Sequence, residues 1–400
     1  MSTAARARPA NRVDFDQPPN AIAVRRAELT SQGVELTDLT DTNPTRHGLF
    51  DPQILTVVGR HLGQAGRYEP SPGGPWPARA ALAERYGGDP DDYWLTASTS
   101  EAYGWLFALL ANPGEAVAIP SPGYPLIEPL ASLHSLDVRP YRTFYVHPSG
   151  WELDRTVLAE TLSDKRIRAV VAVNPNNPTG AYAEPAIVEE AAARGLPVIA
   201  DEVFWPFQVV PLPVAPSRLS GGDATLTFGL DGLSKLLAAP QLKLGWIRLS
   251  GPPADKAWAA RCLDQIADTY LSVNTPVALA LPDLLGLADS AIARVTARLR
   301  SNLTTARQSF GDLRIRTTYG GWMLLLDIPP VMEPDDLVIA LMDRAGLYVH
   351  PGYFYDLPDA TLAISLLPEP PVFAEACRRL AAALAVFAGD RRTGGSQSWS

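Results

Sequence analysis

Cysteine is almost missing: Cys262 and Cys377 are the only two in 400 residues, and they stand far apart. That excludes a disulfide framework and a cysteine-rich metal centre, and leaves two buried thiols in a reducing compartment as the expectation. Histidine is also sparse. His47, His61, His134, His147 and His350 are scattered, with no pair at metal-ligand spacing, so no metal site is expected. There is no Gly-x-Gly-x-x-Gly string, no phosphate-loop string and no nucleophile-elbow serine. Positive charge is in deficit too. The net charge is −9 with no basic face, which argues against nucleic acid as a partner. Long apolar runs are lacking: the stretch around Pro276-Val277-Ala278-Leu279 is broken by Pro282 and Asp283, so no membrane span is expected. Met1 to Asn20 carries arginines but no apolar core for a signal peptide, and a cytoplasmic location follows as the expectation.

Proline, by contrast, is abundant. The 38 prolines are about twice the usual share of roughly 5%, and they are spread as loop and helix-start punctuation. An apolar fraction of 46% supplies ample material for a core, and the length suits one large and one small lobe. From Ala116 to Leu249, apolar β-runs alternate with helical segments. Strands are expected over Ala116–Ile119, Val138–Arg142, Ala169–Val173, Val198–Asp201, Thr225–Gly229 and Leu244–Leu249, and helices near 101–110, 124–133, 154–162 and 184–193. Such alternation predicts an α/β fold with a mainly parallel sheet covered by helices on both faces. Beyond Pro252 the rhythm changes to a long helical region, then short strands and helices, which predicts a smaller α+β C-terminal domain. The expected divisions are an N-terminal arm and helix over 1–35, a large domain over 36–270, a small domain over 271–390 and a disordered tail over 391–400.

Four short segments carry chemistry, in this order: Asn174-Pro175-Asn176-Asn177-Pro178-Thr179-Gly180, Asp201-Glu202, Gly232-Leu233-Ser234-Lys235 and Lys243-Leu244-Gly245. An amine, an aspartate and an asparagine in this series are what a pyridoxal phosphate site needs. The amine bonds the aldehyde carbon, a carboxylate keeps the pyridine nitrogen protonated, and an amide holds the phenolic oxygen. The flanks of Lys235 are small and apolar, unlike those of a solvated surface lysine. Asp201 ends an apolar β-run, the edge at which α/β sheets bind ligands. Thr96-Ala97-Ser98-Thr99-Ser100-Glu101 opens a helix, where free N–H groups favour a phosphate; Ser98 or Thr99 could equally be a plain N-cap.

In order and spacing these landmarks resemble the fold-type I pyridoxal-phosphate enzymes and, within them, the class I/II aminotransferases, over roughly Leu39 to Phe387. The resemblance implies Lys235 as the Schiff-base lysine and catalytic proton carrier. Asp201 is implied on the ring nitrogen and Asn177 on the phenolic oxygen. Ser98, Thr99, Ser234 and Lys243 would surround the phosphate, and Tyr124 would stack on the ring. A core aromatic in a proline-rich loop is the competing reading of Tyr124. Tyr68 would reach the phosphate of a neighbouring subunit, which makes a homodimer with shared sites the expected assembly. Amino acid and keto acid are the implied substrates.

Four departures qualify the resemblance. Lys243 stands where arginine is usual and keeps the charge without the planar fork. Gly232 replaces a common phosphate-binding serine. Phe204 stands where a tyrosine usually gives a second hydrogen bond to the phenolic oxygen. A fourth, the largest, is Ala363, at the position of the arginine that grips a substrate carboxylate through two parallel hydrogen bonds. Asn43, Arg46 and His47 lie in or beside segments that line the site in relatives and are candidates for substrate contact, as is Arg67, although an exposed solvated side chain is the favoured reading of each one. A lyase, a decarboxylase or a ring-forming enzyme of the same fold, or a non-catalytic binder of the cofactor, remain alternatives to transamination.

Overall fold

The computed structural model describes residues 10–12, 18–212, 214–311, 314–330, 332–357 and 360–394. Except for residues 10–12 and 18, the expected arm over 1–18 lies outside them. Helix α1 (Ala21–Ser31) starts where Asn20 accepts a hydrogen bond from the Ala23 amide at 2.8 Å. It is followed by β1 (Thr37–Asp38), α2 (Gln53–His61) and α3 (Trp76–Tyr86), the last with Pro77 in its first turn.

The large lobe is built on an eight-stranded sheet. Its elements are β2 (Tyr93–Thr96), α4 (Thr99–Leu110), β3 (Ala116–Ser121), α5 (Ile127–Leu133), β4 (Asp137–Val146), β5 (Gly150–Leu153) and α6 (Arg155–Thr161). Then come β6 (Ile167–Val173), α7 (Ala186–Ala192), β7 (Val198–Asp201), β8 (Thr227–Gly232), α8 (Leu233–Leu236), β9 (Gly245–Ser250) and α9 (Pro253–Tyr270). The strand order is β2-β9-β8-β7-β6-β3-β4-β5. Strands β4, β3, β6, β7 and β8 run parallel, while β2, β5 and β9 join antiparallel. This is the expected fold class. In β6, Ala169, Val171 and Val173 pack on one face with α4 and α9, while Val170 and Ala172 pack on the other with α6 and α7. A strand buried on both sides reads as an unbroken apolar run, and that is how Ala169–Val173 reads.

Of the elements named so far, four were not foreseen: α2, β2, β5 and the four-residue α8. Strand β2 is four buried residues with no alternation, and so short a run carries no period by which to recognise it.

The rest of the chain contains α10 (Thr275–Leu285), α11 (Ala288–Phe310), β10 (Met323–Asp327), α12 (Pro334–Ala345), β11 (Leu347–Tyr348), β12 (His350–Pro351), β13 (Thr361–Ser365) and α13 (Pro370–Gly394). Strands β10, β13 and β12 form an antiparallel sheet, and β11 pairs with β1 in parallel. Leu324, Leu326, Leu362 and Ile364 turn one face of that sheet to α11 and α13, burying the second core.

The lobes divide differently from expectation. Ile22, Leu29, Leu39 and Leu49 lie in the core of the C-terminal lobe, and Thr37–Asp38 pairs with Leu347–Tyr348, so the segment before residue 50 belongs there. At the other boundary, α10 packs on α2 and α3, and its Val277 and Leu281 share one core with Leu95 and Trp246 of the large lobe. Helix α11 crosses between lobes: Ala288 and Ala291 sit in the large-lobe core, Val295, Leu299 and Leu303 in the small one. The division therefore falls within α11 rather than at residue 271. A two-residue strand carries no local sign of a partner three hundred residues away. The tail also differs: α13 continues through Gly394 instead of ending before 391, because the alanine-rich run meets no proline to stop it. Residues 395–400 lie outside the described residues. Among the described residues no single helix is long and apolar enough to cross a membrane, and no group of His, Cys, Asp or Glu could hold a metal.

Candidate active site

Parallel strands end on one edge of their sheet, and the carboxyl ends of β6, β7 and β8 open into a cavity of about 260 Å³. Asp201 is the last residue of β7. Strand period two places it on the same face as Ile199, the face covered by α4. There the Tyr103 hydroxyl donates to Asp201 Oδ2 at 3.1 Å, and the Val203 amide donates to Oδ1 at 3.3 Å. Burial pushes the Asp201 carboxyl up to about 6, although these two donors and the Lys235 charge pull the other way. Tyr103 was not foreseen. The available signal was its position four residues into the helix that Thr99 opens, one turn from the N-terminus.

Lys235 follows β8 by three residues, on the short α8. Its Nζ lies 4.8 Å from the Trp322 ring centre and 5.4 Å from that of Phe204, and among the described residues it forms no ion pair. Desolvation lowers its ammonium to about 8, partly offset by Asp201. An amine so placed reaches the neutral, nucleophilic state much nearer to neutrality than an ordinary lysine.

The asparagines of the Asn-Pro-Asn-Asn-Pro-Thr-Gly string divide their work. Asn174 donates to Glu202 Oε1 at 3.4 Å and to the Ser217 carbonyl at 3.3 Å, and accepts from the Ala183 amide at 3.0 Å. Asn176 donates to the Pro122 carbonyl at 3.3 Å and accepts from the Thr179 hydroxyl at 3.0 Å. Both are consumed in shaping the loop. Asn177 lines the cavity, and its Oδ1 is buried without a partner among the described residues. An unsatisfied buried amide is costly, so this group is left for a ligand. Gly180, at φ +67°, closes the loop: a Cβ there would come within 1.9 Å of Thr318 Oγ1. The close approach docks the loop on the segment leading to Trp322.

Beneath the floor, Glu202 is buried and fully engaged. It accepts from Arg218 at 2.9 Å, from the Ser220 hydroxyl at 2.6 Å and from the Leu219 amide at 2.8 Å. It braces the end of β7 and leaves Asp201 as the acid that faces the cavity.

At the far end of the cavity stands the N-terminus of α4. Ser98 caps it, accepting from the Glu101 amide at 3.2 Å, and Ser98, Thr99 and Ser100 all line the cavity. The cap spends an oxygen lone pair, so the hydroxyl proton and the free amides of the first turn remain available to an anion. Gly232, Ser234 and Lys243 complete this end. A Cβ on Gly245 would come within 3.2 Å of the Thr99 nitrogen, so only glycine lets β9 approach the helix start so closely. Tyr124 lines the cavity wall.

The structure thus gathers Lys235, Asp201, Asn177, Ser98, Thr99, Ser234, Lys243 and Tyr124 around one cavity. The other candidates stand outside its lining. Tyr68 is 71% exposed. Asn43 caps a short 3-10 helix by accepting from the Thr45 amide at 3.1 Å. Arg46 pairs with Asp41 at 3.3 Å, and His47 bonds the Asp41 carbonyl at 3.1 Å. From that segment Thr42 reaches the lining instead. Among the histidines, His350 bonds the Tyr355 hydroxyl at 2.9 Å and is also outside the lining.

The profile of aminotransferase classes I and II matches residues 63–380. The chain belongs to that family. Nicotianamine aminotransferase A of Hordeum vulgare is 34% identical over 293 residues, 66% of this chain and 61% of that protein. The match thus spans under two thirds of the barley enzyme. Glutamate-pyruvate aminotransferase AlaA of Escherichia coli K12 is 28% identical over 340 residues, covering 81% of this chain and 76% of its own. The structure of an alanine aminotransferase from Pyrococcus furiosus superposes with a TM-score of 0.83 at 22% identity, over 95% of this chain and all of that one, which establishes the shared fold. Pyridoxal 5'-phosphate is the cofactor of the class I/II aminotransferases, and this cavity's amine, enclosed carboxyl, unsatisfied amide and helix N-terminus fit its four handles.

Proposed function

We propose that this member of the family is a pyridoxal-phosphate-dependent aminotransferase, moving an amino group between an amino acid and a keto acid. The observation that carries the reading is the convergence of Lys235, Asp201 and Asn177 on one cavity with a helix N-terminus at its far end. Bound there, the cofactor supplies an electron sink for a pair of electrons released at the substrate carbon. The chain does the rest. Lys235 would hold the cofactor covalently, and its amine, whose affinity for protons is lowered toward neutrality, would serve as the proton carrier at the substrate carbon. Asp201 keeps a positive charge on the ring nitrogen, and Tyr103 fixes the carboxylate's orientation. Asn177 steadies the phenolic oxygen, Tyr124 covers a ring face, and Ser98, Thr99, Ser234 and Lys243 hold the phosphate.

The reading includes a homodimer. Tyr68, Leu62, Leu55 and Trp76 are 71%, 59%, 55% and 61% exposed on neighbouring segments, an apolar run that a second copy would cover while Tyr68 reaches the partner's phosphate. It also includes a cytoplasmic location, supported by the two free cysteines. The test is direct. Protein loaded with the cofactor should absorb as a lysine linkage, be tagged by borohydride at Lys235, and lose both signals in Lys235→Ala, with turnover down by more than about a thousandfold. Keto-acid release on adding an amino donor distinguishes transamination from ammonia or carbon dioxide release by a lyase or decarboxylase. Colourless protein that resists tagging would remove the proposal.

A further inference from the structure

The cavity's second wall comes from the small lobe, and its chemistry is unlike the first. Met323 and Trp322 line it. On β10, Met323 shares a face with Leu325, and Leu325 lies directly opposite Ala363 of β13. Tyr355 and Leu357 pack on the same face, and all five are buried. Ala363, on the strand that flanks the cavity wall, is fully buried in this apolar layer.

Several charged groups around this wall are committed, and Arg142, whose side chain has no hydrogen bond or ion pair among the described residues, lines a separate cavity with Arg316 and Leu357 rather than this one. His350, opposite Ala363, is held down to about 4 by burial, so its ring is neutral at working pH, and its Nδ1 is bonded to Tyr355. Arg316 is paired with Asp327 at 2.8 Å and donates to the Thr361 hydroxyl at 3.1 Å. Arg298 donates to the carbonyls of His47 and Leu367 at 3.1 and 2.8 Å. Arg46 is paired with Asp41, and Arg67 with Glu69 at 2.9 Å. The cations in the cavity lining, among the described residues, are Lys235 and Lys243. The first is taken by the covalent linkage and the second stands at the phosphate end. Among the described residues, the cavity lining thus holds no guanidinium, and no ammonium beyond these two, to receive a carboxylate on the reacting carbon. A carboxylate pressed against Met323, Trp322 and Phe204 would lose water and gain no charged partner, an unfavourable exchange.

Resting on the aminotransferase reading, we propose that one of the two amino-group partners served by this cavity is a primary amine, with its carbonyl counterpart, that bears no carboxylate on the reacting carbon. The apolar small-lobe wall takes its hydrocarbon or aromatic substituent. The balance is that of any transamination: the amine passes its amino group, one α-proton and the electron pair of that C–H bond to the cofactor, from which the keto acid would take them in the second half, and water supplies the carbonyl oxygen of the product. Amino acid and keto acid remain the other partner, held less tightly than a bidentate arginine would hold them.

The test uses the loaded wild-type enzyme and matched pairs that differ only in the carboxylate: phenethylamine against phenylalanine, isobutylamine against valine. Loss of the linkage absorption is followed as a single half-reaction. The amines should convert the enzyme at least about tenfold faster than the matched amino acids at equal concentration, a difference of about 1.4 kcal/mol in the barrier. Thermal midpoints give a readout independent of turnover, with 3-phenylpropanamide stabilising the protein more than 3-phenylpropionate at the same concentration. Amino acids matching or outpacing their amines would overturn the inference and leave the aminotransferase reading standing. Conversion by neither class, glutamate and alanine included, would overturn both.

Discussion

The two walls of one cavity contrast sharply. The large-lobe wall is polar, and each of its groups has a specific role. Asp201 is oriented by Tyr103 and the Val203 amide, Asn177 is left unsatisfied while Asn174 and Asn176 are consumed, and Ser98 caps a helix whose amides stay free. The small-lobe wall is Trp322 and Met323, backed by Leu325 and Ala363, and the described cavity lining contains no arginine. The first wall retains what the family's cofactor chemistry requires. The second presents an apolar surface, with no guanidinium in the described lining. Within one site, the machinery for bond-breaking and the machinery for recognition have been set independently, because they are carried by different lobes.

The contrast can be broken hardest at its polar side. Asp201→Asn keeps the shape of the wall and removes the charge. Turnover should fall roughly a hundredfold to a thousandfold, as expected for losing a preorganised electrostatic partner, with little change in melting temperature. Steady-state rates alongside a melting curve check this, and unchanged turnover would mean that the carboxyl does not serve the ring nitrogen.

At the seam between the walls, Phe204 packs edge-on to Trp322 at 5.5 Å beside the Lys235 amine. Phe204→Tyr adds a donor near the phenolic oxygen. It should lower the pKa of the lysine linkage by about one unit, because hydrogen bonding to the deprotonated form favours it. A spectral titration of the two proteins measures the shift, and coincident curves would show that the missing hydroxyl is without consequence.

The smallest expected effect lies under the polar wall. Asp231 is buried, accepts from the Gly232 amide, and has an Oδ2 without a partner among the described residues. Burial raises its carboxyl to about 7. With the folded pKa above the unfolded one, the folded state binds the extra proton between about 4 and 7, so stability falls as pH rises through that window. Asp231→Asn should therefore be more stable than wild type by roughly 2 kcal/mol at pH 8, with the gain shrinking toward zero near pH 4. Thermal unfolding across that range tests the sign. A variant less stable at high pH would show that the attraction of Arg218 outweighs the burial cost.

How much of this was readable in the chain varies by element. Strand β7 was legible to the residue, since an apolar run stopping at an acid needs no partner to be recognised. Strand β2 was not, because its pattern is uniform burial. Tyr103 was hidden for a different reason: its partner lies 98 positions away, and only the packing of α4 on the β7 face brings them together. Asn43, Arg46 and His47 were drawn in by their neighbours, whereas the backbone turn that Asn43 caps sends Thr42 to the cavity and leaves Arg46 to Asp41.

Local chemistry is what the order of residues determined: the amine at 235, the acid at 201, the amide at 177 and the helix start at 98, each recognisable from its own few neighbours. Tertiary structure decided everything that depends on meeting across the chain. It set which asparagine stays free, which strand the N-terminal segment joins, where α11 hands one core to the other, and which cations, Lys235 and Lys243, reach the described cavity lining. Covalent neighbours fix propensity and charge, but the environment of a side chain is a property of the surfaces that close over it, and those come from distant segments.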